Sequence, residues 1–185
     1  MGTDKALLPV GGRPIIERIV EVLGGIFPNL LIVTTAPAHH AFVGVRMVAD
    51  LMPGCGALGG LHAALFHAPT PHAFVVACDM PFLNPAVIEL VAAKARGWDV
   101  VVPRLMENLE PLHAVYSRRC LGPIEALLRE GGRRIIDLYP RVRVREVSEE
   151  AIRALDPELL SFRNVNTPEE LRAIEEIAAP VSPQP

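Results

Sequence analysis

Lysine is nearly missing from this chain: of its 18 basic residues only Lys5 and Lys94 are lysines. Aromatic residues are also scarce, 5% of a sequence that is 50% hydrophobic, so the core has to be built from Leu, Ile, Val and Ala. The three cysteines, Cys55, Cys78 and Cys120, stand far apart without zinc or redox spacing. That sparse, odd count fits a reducing, cytoplasmic setting, with each thiol expected to be a small buried hydrophobe. No uninterrupted apolar run reaches bilayer length, and the amino end carries Asp4 and Lys5 instead of a basic-then-apolar leader, so neither a membrane partner nor secretion is expected. A charge excess is absent too. With 18 basic against 21 acidic residues and a net charge of -3, a general basic field for nucleic acid is excluded. No serine or cysteine sits in a nucleophile-elbow context, and there is no Walker loop.

What is present is an alternation of strands and helices. The 185 residues fit one domain, 1–179, followed by a frayed polar tail, 180–185, and the 18 prolines are spread along the chain as punctuation. Helical spacing from Pro14 to Leu23 ends at Gly24-Gly25, and further helices are predicted over Leu58–His67, Pro85–Ala95 and Leu121–Leu128. Strands are predicted at Leu30–Thr34, Val45–Ala49, Phe74–Cys78 and Leu112–Tyr116. Another, Val100–Val102, is closed by Pro103, and the alternating Val142–Val147 reads as an edge strand. Thr167-Pro168-Glu169-Glu170 has the form of a capping box opening a last helix. This order predicts an α/β fold: three layers, Rossmann-like, with a mostly parallel sheet.

Asp79 is the first candidate for chemistry, because it ends the most apolar strand at the sheet edge where open α/β sheets bind ligands. A carboxylate there can hold Mg²⁺ and bridge it to phosphates. Asp50 ends the preceding strand in the same way and leads into Pro53-Gly54-Cys55-Gly56-Ala57-Leu58-Gly59-Gly60, whose glycines let backbone amides approach a ligand; the two aspartates are expected on adjacent sheet ends. Lys5 offers a compact point charge suited to phosphate in a chain that otherwise uses arginine. Asn164 and Asn166, two apart on an extended segment, point the same way and can hydrogen-bond a heterocycle or hold a loop. The histidines lack metal spacing: His39-His40 is expected in a surface loop, His62, His67 and His72 on helix surface or in loops, and His113 as a buried, satisfied ring. Arg133-Arg134 reads as a solvated pair that could also meet an anion.

Five segments in order carry a resemblance over nearly the whole chain. They are Met1-Gly2-Thr3-Asp4-Lys5 with the following Leu-Leu-Pro-Val-Gly-Gly; Asp50 before Gly56-Ala57-Leu58-Gly59-Gly60; and Cys78-Asp79-Met80-Pro81-Phe82-Leu83. Glu110-Pro111-Leu112-His113-Ala114-Val115-Tyr116 and Phe162-Arg163-Asn164-Val165-Asn166-Thr167-Pro168-Glu169-Glu170-Leu171 complete the set. Together they resemble the molybdenum cofactor guanylyltransferase family among the Rossmann-like nucleotidyltransferases. The resemblance implies a Mg²⁺-dependent enzyme with GTP and molybdopterin as substrates, in which the phosphate of molybdopterin attacks the α-phosphate of GTP and pyrophosphate leaves. A molybdoenzyme or its chaperone is the implied receiver of the product. It implies Lys5 on the triphosphate and Asp79 on Mg²⁺ as the catalytic pair. Asp50, Gly56, Gly59 and Gly60 would line the guanine and ribose side, and Asn164 and Asn166 would face the pterin.

Three departures from the family pattern stand out. The family's first strand and Leu-Ala-Gly-Gly loop should precede Met1, its Gly-Pro-Leu-Ala-Gly reads Gly-Ala-Leu-Gly-Gly, and an asparagine after the second strand is replaced by Thr34, Thr35 or Ala36. The expectation is a true start upstream of Met1, with weak GTP binding and little turnover if the sequence really starts here. The alternatives are a cytidylyltransferase on the same pterin or another phosphorylated substrate, and a non-catalytic cofactor-binding module.

Overall fold

Aliphatic strands without aromatic bulk need cover on both faces, and helices supply it. The computed structural model of the protein describes residues 4–165, 167 and 169–172, so the tail and Asn166 lie outside the described residues. A 3-10 turn, Lys5–Leu7, comes first, its Ala6 N–H donating to the Asp4 carboxylate. A hairpin of β1 (Pro9–Val10) and β2 (Arg13–Pro14) follows, turned by Gly11 and Gly12 at φ 55° and 79°. Two positive φ values in succession are what a tight hairpin demands, and glycine adopts them without a Cβ clash. The sequence pattern did not reveal this hairpin, because each arm is too short for a period to show.

Then come α1 (Ile15–Gly24), β3 (Leu31–Val33), α2 (Pro37–His40), β4 (Arg46–Val48), α3 (Gly56–His67), β5 (His72–Val76) and α4 (Pro85–Ala92). The second half holds β6 (Val100–Leu105), β7 (Asn108–Leu109), β8 (His113–Ser117), α5 (Leu121–Arg129), β9 (Val144–Val147) and α6 (Glu149–Arg153). β3 and β4 form a parallel pair. The larger sheet runs β5-β8-β6-β9, with β7 folded back on the end of β6. β8 lies antiparallel to both β5 and β6, so β5, β6 and β9 share one direction and β8 alone of these four opposes it.

Alternation along the strands builds the three layers. Val100, Val102, Ala114 and Tyr116 face Leu58, Leu61 and Leu65 of α3 and Ile124 and Leu127 of α5. Val101 and Val115 face the other way, onto Val87 and Val91 of α4 and Ile152 of α6. α1 covers the same face further along, where Ile15 and Ile19 meet Met80, Leu83 and Ile88. The predicted capping box is present: Glu170 N–H donates to Thr167 Oγ1 at 3.1 Å, and Thr167 N–H to Glu170 Oε2 at 3.3 Å. Strand β6 runs past Pro103 instead of ending there. Pro103 pairs in register with Val147 of β9, and its carbonyl accepts from Glu110 N–H, so the missing N–H interrupts nothing.

Several buried positions differ from expectation. Only Cys120 of the three cysteines is buried; Cys78 is exposed at a loop and Cys55 is intermediate. His62 lies inside, not on a helix surface, with Nε2 3.3 Å from Glu125 Oε1. His72 falls in β5, with Nε2 3.3 Å from Trp98 O. His113 is fully buried but not satisfied: neither ring nitrogen has a hydrogen-bond partner, and the ring packs against Phe74 and Phe162 at centroid distances of 5.1 and 4.6 Å. The apolar setting is the cause. It favours the uncharged ring and leaves no acceptor within reach.

Burial pushes the His113 imidazole down to about 4, with Asp156 opposing weakly. In the unfolded chain the ring titrates near 6.5, so this position's stabilisation is whole above pH 6.5 and is lost as pH falls toward 4, by about 3 kcal/mol in all. Urea melts from pH 7.5 to 4.5 should show that decline in the parent protein. His113→Phe, which keeps the ring and removes the proton site, should flatten it; equal slopes for the two proteins would refute the assignment.

Candidate active site

β5 delivers Asp79 three residues past its last strand residue, where the chain turns into the loop leading to α4. The carbonyl of Asp79 accepts from Val165 N–H at 2.9 Å, and the buried Val165 side chain packs with Met80 and Leu83. That main-chain bond fixes Asn164 beside Asp79, and both line one groove. Lys5 Nζ lies 3.8 Å from Asp79 Oδ2, with the lysine side chain 44% exposed and the aspartate 17%. Asp79 Oδ1 is buried and has no hydrogen-bond partner. A buried carboxylate oxygen left unpaired costs about 1–3 kcal/mol, so it marks a place where a donor or a cation would bind favourably.

A second acid stands close to this pair. Asp4 caps the Lys5 turn through Oδ1, and its Oδ2 lies 3.1 Å from Nε2 of His40. His40 is buried, in contrast to the surface loop expected for it, and its Nδ1 lies 3.4 Å from Thr34 Oγ1 just after β3. The ring thus braces the Lys5 turn against the end of β3. Sequence reading missed this because His40 and Asp4 are far apart in the chain and no periodicity links them. Crowding by protein atoms, then the charges of Asp79 and Asp4, push the Cys78 thiol upward, which favours its protonated form.

Asp50 and Asp79 end strands in separate sheets, not at adjacent sheet ends: β3 and the groove lie between them. Asp50 Oδ1 accepts from Met52 N–H at 2.8 Å and also lies against Gly59. No described contact joins it to Lys5 or Asp79. Gly59 is held tightly: a Cβ there would stand 3.0 Å from Cys55 Cβ, 3.0 Å from Met52 O and 3.2 Å from Asp50 Oδ1. Gly60 opens onto the groove, with nothing within 4 Å of a Cβ. Gly56 has φ 60°, and a Cβ there would sit 3.8 Å from Arg133 O, which places the Gly131-Gly132 loop next to the glycine-rich turn. Arg134 is held by Asp137 at 2.6 Å, while Arg133 extends outward. Glu110 also lines the groove, and burial pushes its carboxyl up. The sequence reading gave Glu110 no role, since nothing in its local pattern announces burial.

Gly59 and Gly60 therefore separate packing from open space. Gly59→Ala should cost about 1–3 kcal/mol in urea melts. Gly60→Ala should be neutral or stabilising by up to about 1 kcal/mol, because alanine suits a helix and meets no neighbour. Equal losses for both substitutions would contradict this packing.

Comparisons with known proteins bear on the family and the fold. Residues 1–146 match the model of the MobA-like NTP transferase domain. The chain is 44% identical over 171 residues to a probable molybdenum cofactor guanylyltransferase of Pelotomaculum thermopropionicum, covering 92% of this chain and 83% of that protein. It is 41% identical over 175 residues to the molybdenum cofactor guanylyltransferase of Desulfosudis oleivorans, covering 94% and 87%. Among solved structures, molybdopterin-guanine dinucleotide biosynthesis protein A of Archaeoglobus fulgidus superposes with a TM-score of 0.83 at 31% identity, over 96% of this chain and 91% of that one. No described helix is long and apolar enough to cross a membrane. A three-layer α/β fold with an acid and a lysine meeting beyond β5, matched along most of its length, places the chain in the MobA-like NTP transferase family of nucleotidyltransferases.

Proposed function

We propose that the chain transfers GMP from GTP to the phosphate of molybdopterin, forming the guanine dinucleotide cofactor and releasing pyrophosphate. The observation that carries this reading is the Lys5–Asp79 pair beyond β5, with Asn164 fixed beside it by the Val165–Asp79 main-chain bond. The names of the relatives supply the base and the acceptor.

Each residue has a physical job in this reading. Lys5 places a point charge against the triphosphate, where negative charge accumulates as pyrophosphate departs. Its pairing with Asp79 is partly exposed and longer than a hydrogen bond, so giving it up for a phosphate costs little. Asp79 would hold Mg²⁺, and its unpaired, buried Oδ1 fits that job. Groups of three or more metal-ligating side chains are absent among the described residues, which suits an ion completed by phosphate oxygens and water. Bound there, Mg²⁺ would neutralise phosphate charge and orient the α-phosphate. Asp50 with Gly56, Gly59 and Gly60 takes the guanine and ribose side, Asp50 by setting the shape of the loop and Gly60 by leaving room. Asn164 and Asn166 take the pterin. The attacking phosphate is already ionised, so positioning matters more than a general base.

Pyrophosphate release tests the reading, with GTP or CTP, molybdopterin and Mg²⁺, on the chain as it stands and on a form extended at its amino end. GTP should support turnover and CTP should not. Asp79→Asn should lower the rate about 100-fold or more and weaken its dependence on Mg²⁺ concentration, and Lys5→Met should lower it by a similar factor. A preference for CTP would make the protein a cytidylyltransferase. Silence with every nucleotide in both forms would overturn the enzymatic reading.

A further inference from the structure

The groove, about 750 Å³, lies between β3 and β5 and is lined by two acids, Asp79 and Glu110. Only Asp79 has a part in the chemistry above. β5 and β8 pair from His72–Ser117 to Val76–His113, and beyond that ladder Ala77 N–H still donates to Leu112 O at 3.1 Å. Asp79 stands two residues after that bond on one side and Glu110 two residues before it on the other. Both carboxylates therefore leave the sheet at the same end, although they come from segments remote in sequence.

The main chain at Glu110 is pinned on every side. Its N–H donates to Pro103 O at 3.0 Å, and its C=O accepts from His113 N–H at 3.2 Å. The next residue, Pro111, has a fixed φ, and its C=O accepts from the buried Tyr116 hydroxyl at 2.7 Å. The side chain is treated differently. Half-buried, the Glu110 carboxylate has neither a hydrogen bond nor an ion pair among the described residues. Burial alone pushes its carboxyl up, with no neighbouring cation or acid contributing. Asp50, by contrast, is engaged by Met52 N–H, and Asp79 has Lys5 beside it. The other groove residues near Glu110 in the chain, Pro111 and Leu112, are apolar, and α3 contributes Ala57 and Gly60. A rigidly placed, unpaired acceptor in a groove with small and apolar walls is suited to orienting a ligand through N–H donors.

We propose that Glu110 is a recognition residue whose carboxylate accepts from the ring N–H and the adjacent amino group of an aminopyrimidinone edge. Two neighbouring N–H donors match the two oxygens of a carboxylate, which offers acceptors only. Bonds to an ionised acceptor are the stronger kind, and they offset the desolvation that burial imposes on Glu110. This inference rests on the nucleotidyl-transfer reading for the identity of the ring. Guanine and a pterin both carry that edge, so the chemistry is shared and the source is settled by experiment. Amide side chains such as Asn164 present a donor beside an acceptor and cannot accept from both N–H groups at once. A ring lacking the amino group leaves one carboxylate oxygen without its donor in a partly dry site, which is a stronger basis for rejection than shape.

Equilibrium binding to the parent protein and to Glu110→Gln tests this with two pairs of ligands. GTP is set against ITP, and hydroxymethylpterin phosphate against its lumazine counterpart; the second member of each pair lacks the amino group. The parent should favour the amino-bearing member of one pair about 10-fold or more. Glu110→Gln should bring that ratio down to about 1–3 and leave the other pair's ratio unchanged. A fall in the GTP pair assigns the edge to guanine, and a fall in the pterin pair assigns it to the pterin. The urea midpoint of Glu110→Gln should match or exceed the parent's, because the carboxylate has no partner to lose. A parent without either preference, ratios that the substitution leaves as they were, or both ratios falling together would each overturn the assignment. So would a clear drop in the urea midpoint, which marks a structural acid. Pyrophosphate release by the parent separates the two claims. Turnover with GTP and molybdopterin alongside unaltered ratios sinks the role of Glu110 alone, whereas a parent that neither turns over nor binds any of the four ligands takes both readings down.

Discussion

A sheet interrupted between two of its strands has to be held together by the helices that cross the gap, and here that constraint falls on α3. Leu58, Leu61 and Leu65 are fully buried against β6, β8 and α5, each contributing about 1.5–3 kcal/mol of burial. The small positions of the same helix, Ala57, Gly60 and Ala64, face the groove instead. One helix thus anchors the large sheet with leucines and leaves space beside β3 with residues that have little or no side chain. Its amino end is set by Gly59, where a Cβ could be placed only if Asp50, Met52 and Cys55 gave by a few tenths of an ångström. The turn after β4 and the start of α3 are therefore one rigid unit.

Charge is divided in a way that the scarcity of lysine first suggested. Several arginines make paired, geometrically specific contacts at the surface: Arg104 with Glu146, Arg141 with Glu130, Arg143 with Asp99 and Arg153 with Glu149. Arg143 in particular holds the Asp99 carboxyl below the usual range, donating to it from both its guanidinium and its main-chain N–H. Such planar forks suit fixed partners. Lys5 is a compact charge on a flexible stem, set beside the Asp79 carboxylate beyond the carboxyl end of β5.

Much of this was legible in the sequence, and the failures have physical causes. The order of strands and helices followed from period and punctuation: Gly24-Gly25 closes α1, Asn84-Pro85 opens α4, and Thr167 with Glu170 forms the predicted capping box. Asp79 and Lys5 were found from chemical type and place, and the structure brings them together. What local pattern could not carry was partnership across the chain. His40 braces Asp4, His62 meets Glu125, and His113 sits unbonded between two phenylalanines, and each of these depends on residues remote in sequence. The hairpin at Gly11-Gly12 escaped for the opposite reason, being too short for any period to register. Asp50 shows the limit from a third side. A carboxylate ending a strand looks the same whether it meets a ligand or, as its described bonds have it, caps the next turn.

The groove reaches the Asp79 loop at one end. Asp79 and Asn164 line it, and the Asp4–His40–Thr34 chain of contacts crosses from the Lys5 turn to the end of β3. In open α/β sheets ligands bind outside the carboxyl ends of strands where helix connections diverge to opposite faces. β3 and β5 flank such a point here, with α1 on one face and α3 on the other. The relative placement of Lys5 and Asp79 therefore depends on how firmly the two sheet pieces are held across the gap. His40 is the polar tie on one side and Val165 the main-chain tie on the other. The Lys5–Asp79 contact lies beside this seam, so its geometry is sensitive to how the two sheet pieces are held. The scarce lysine and the split sheet are thus two aspects of one site.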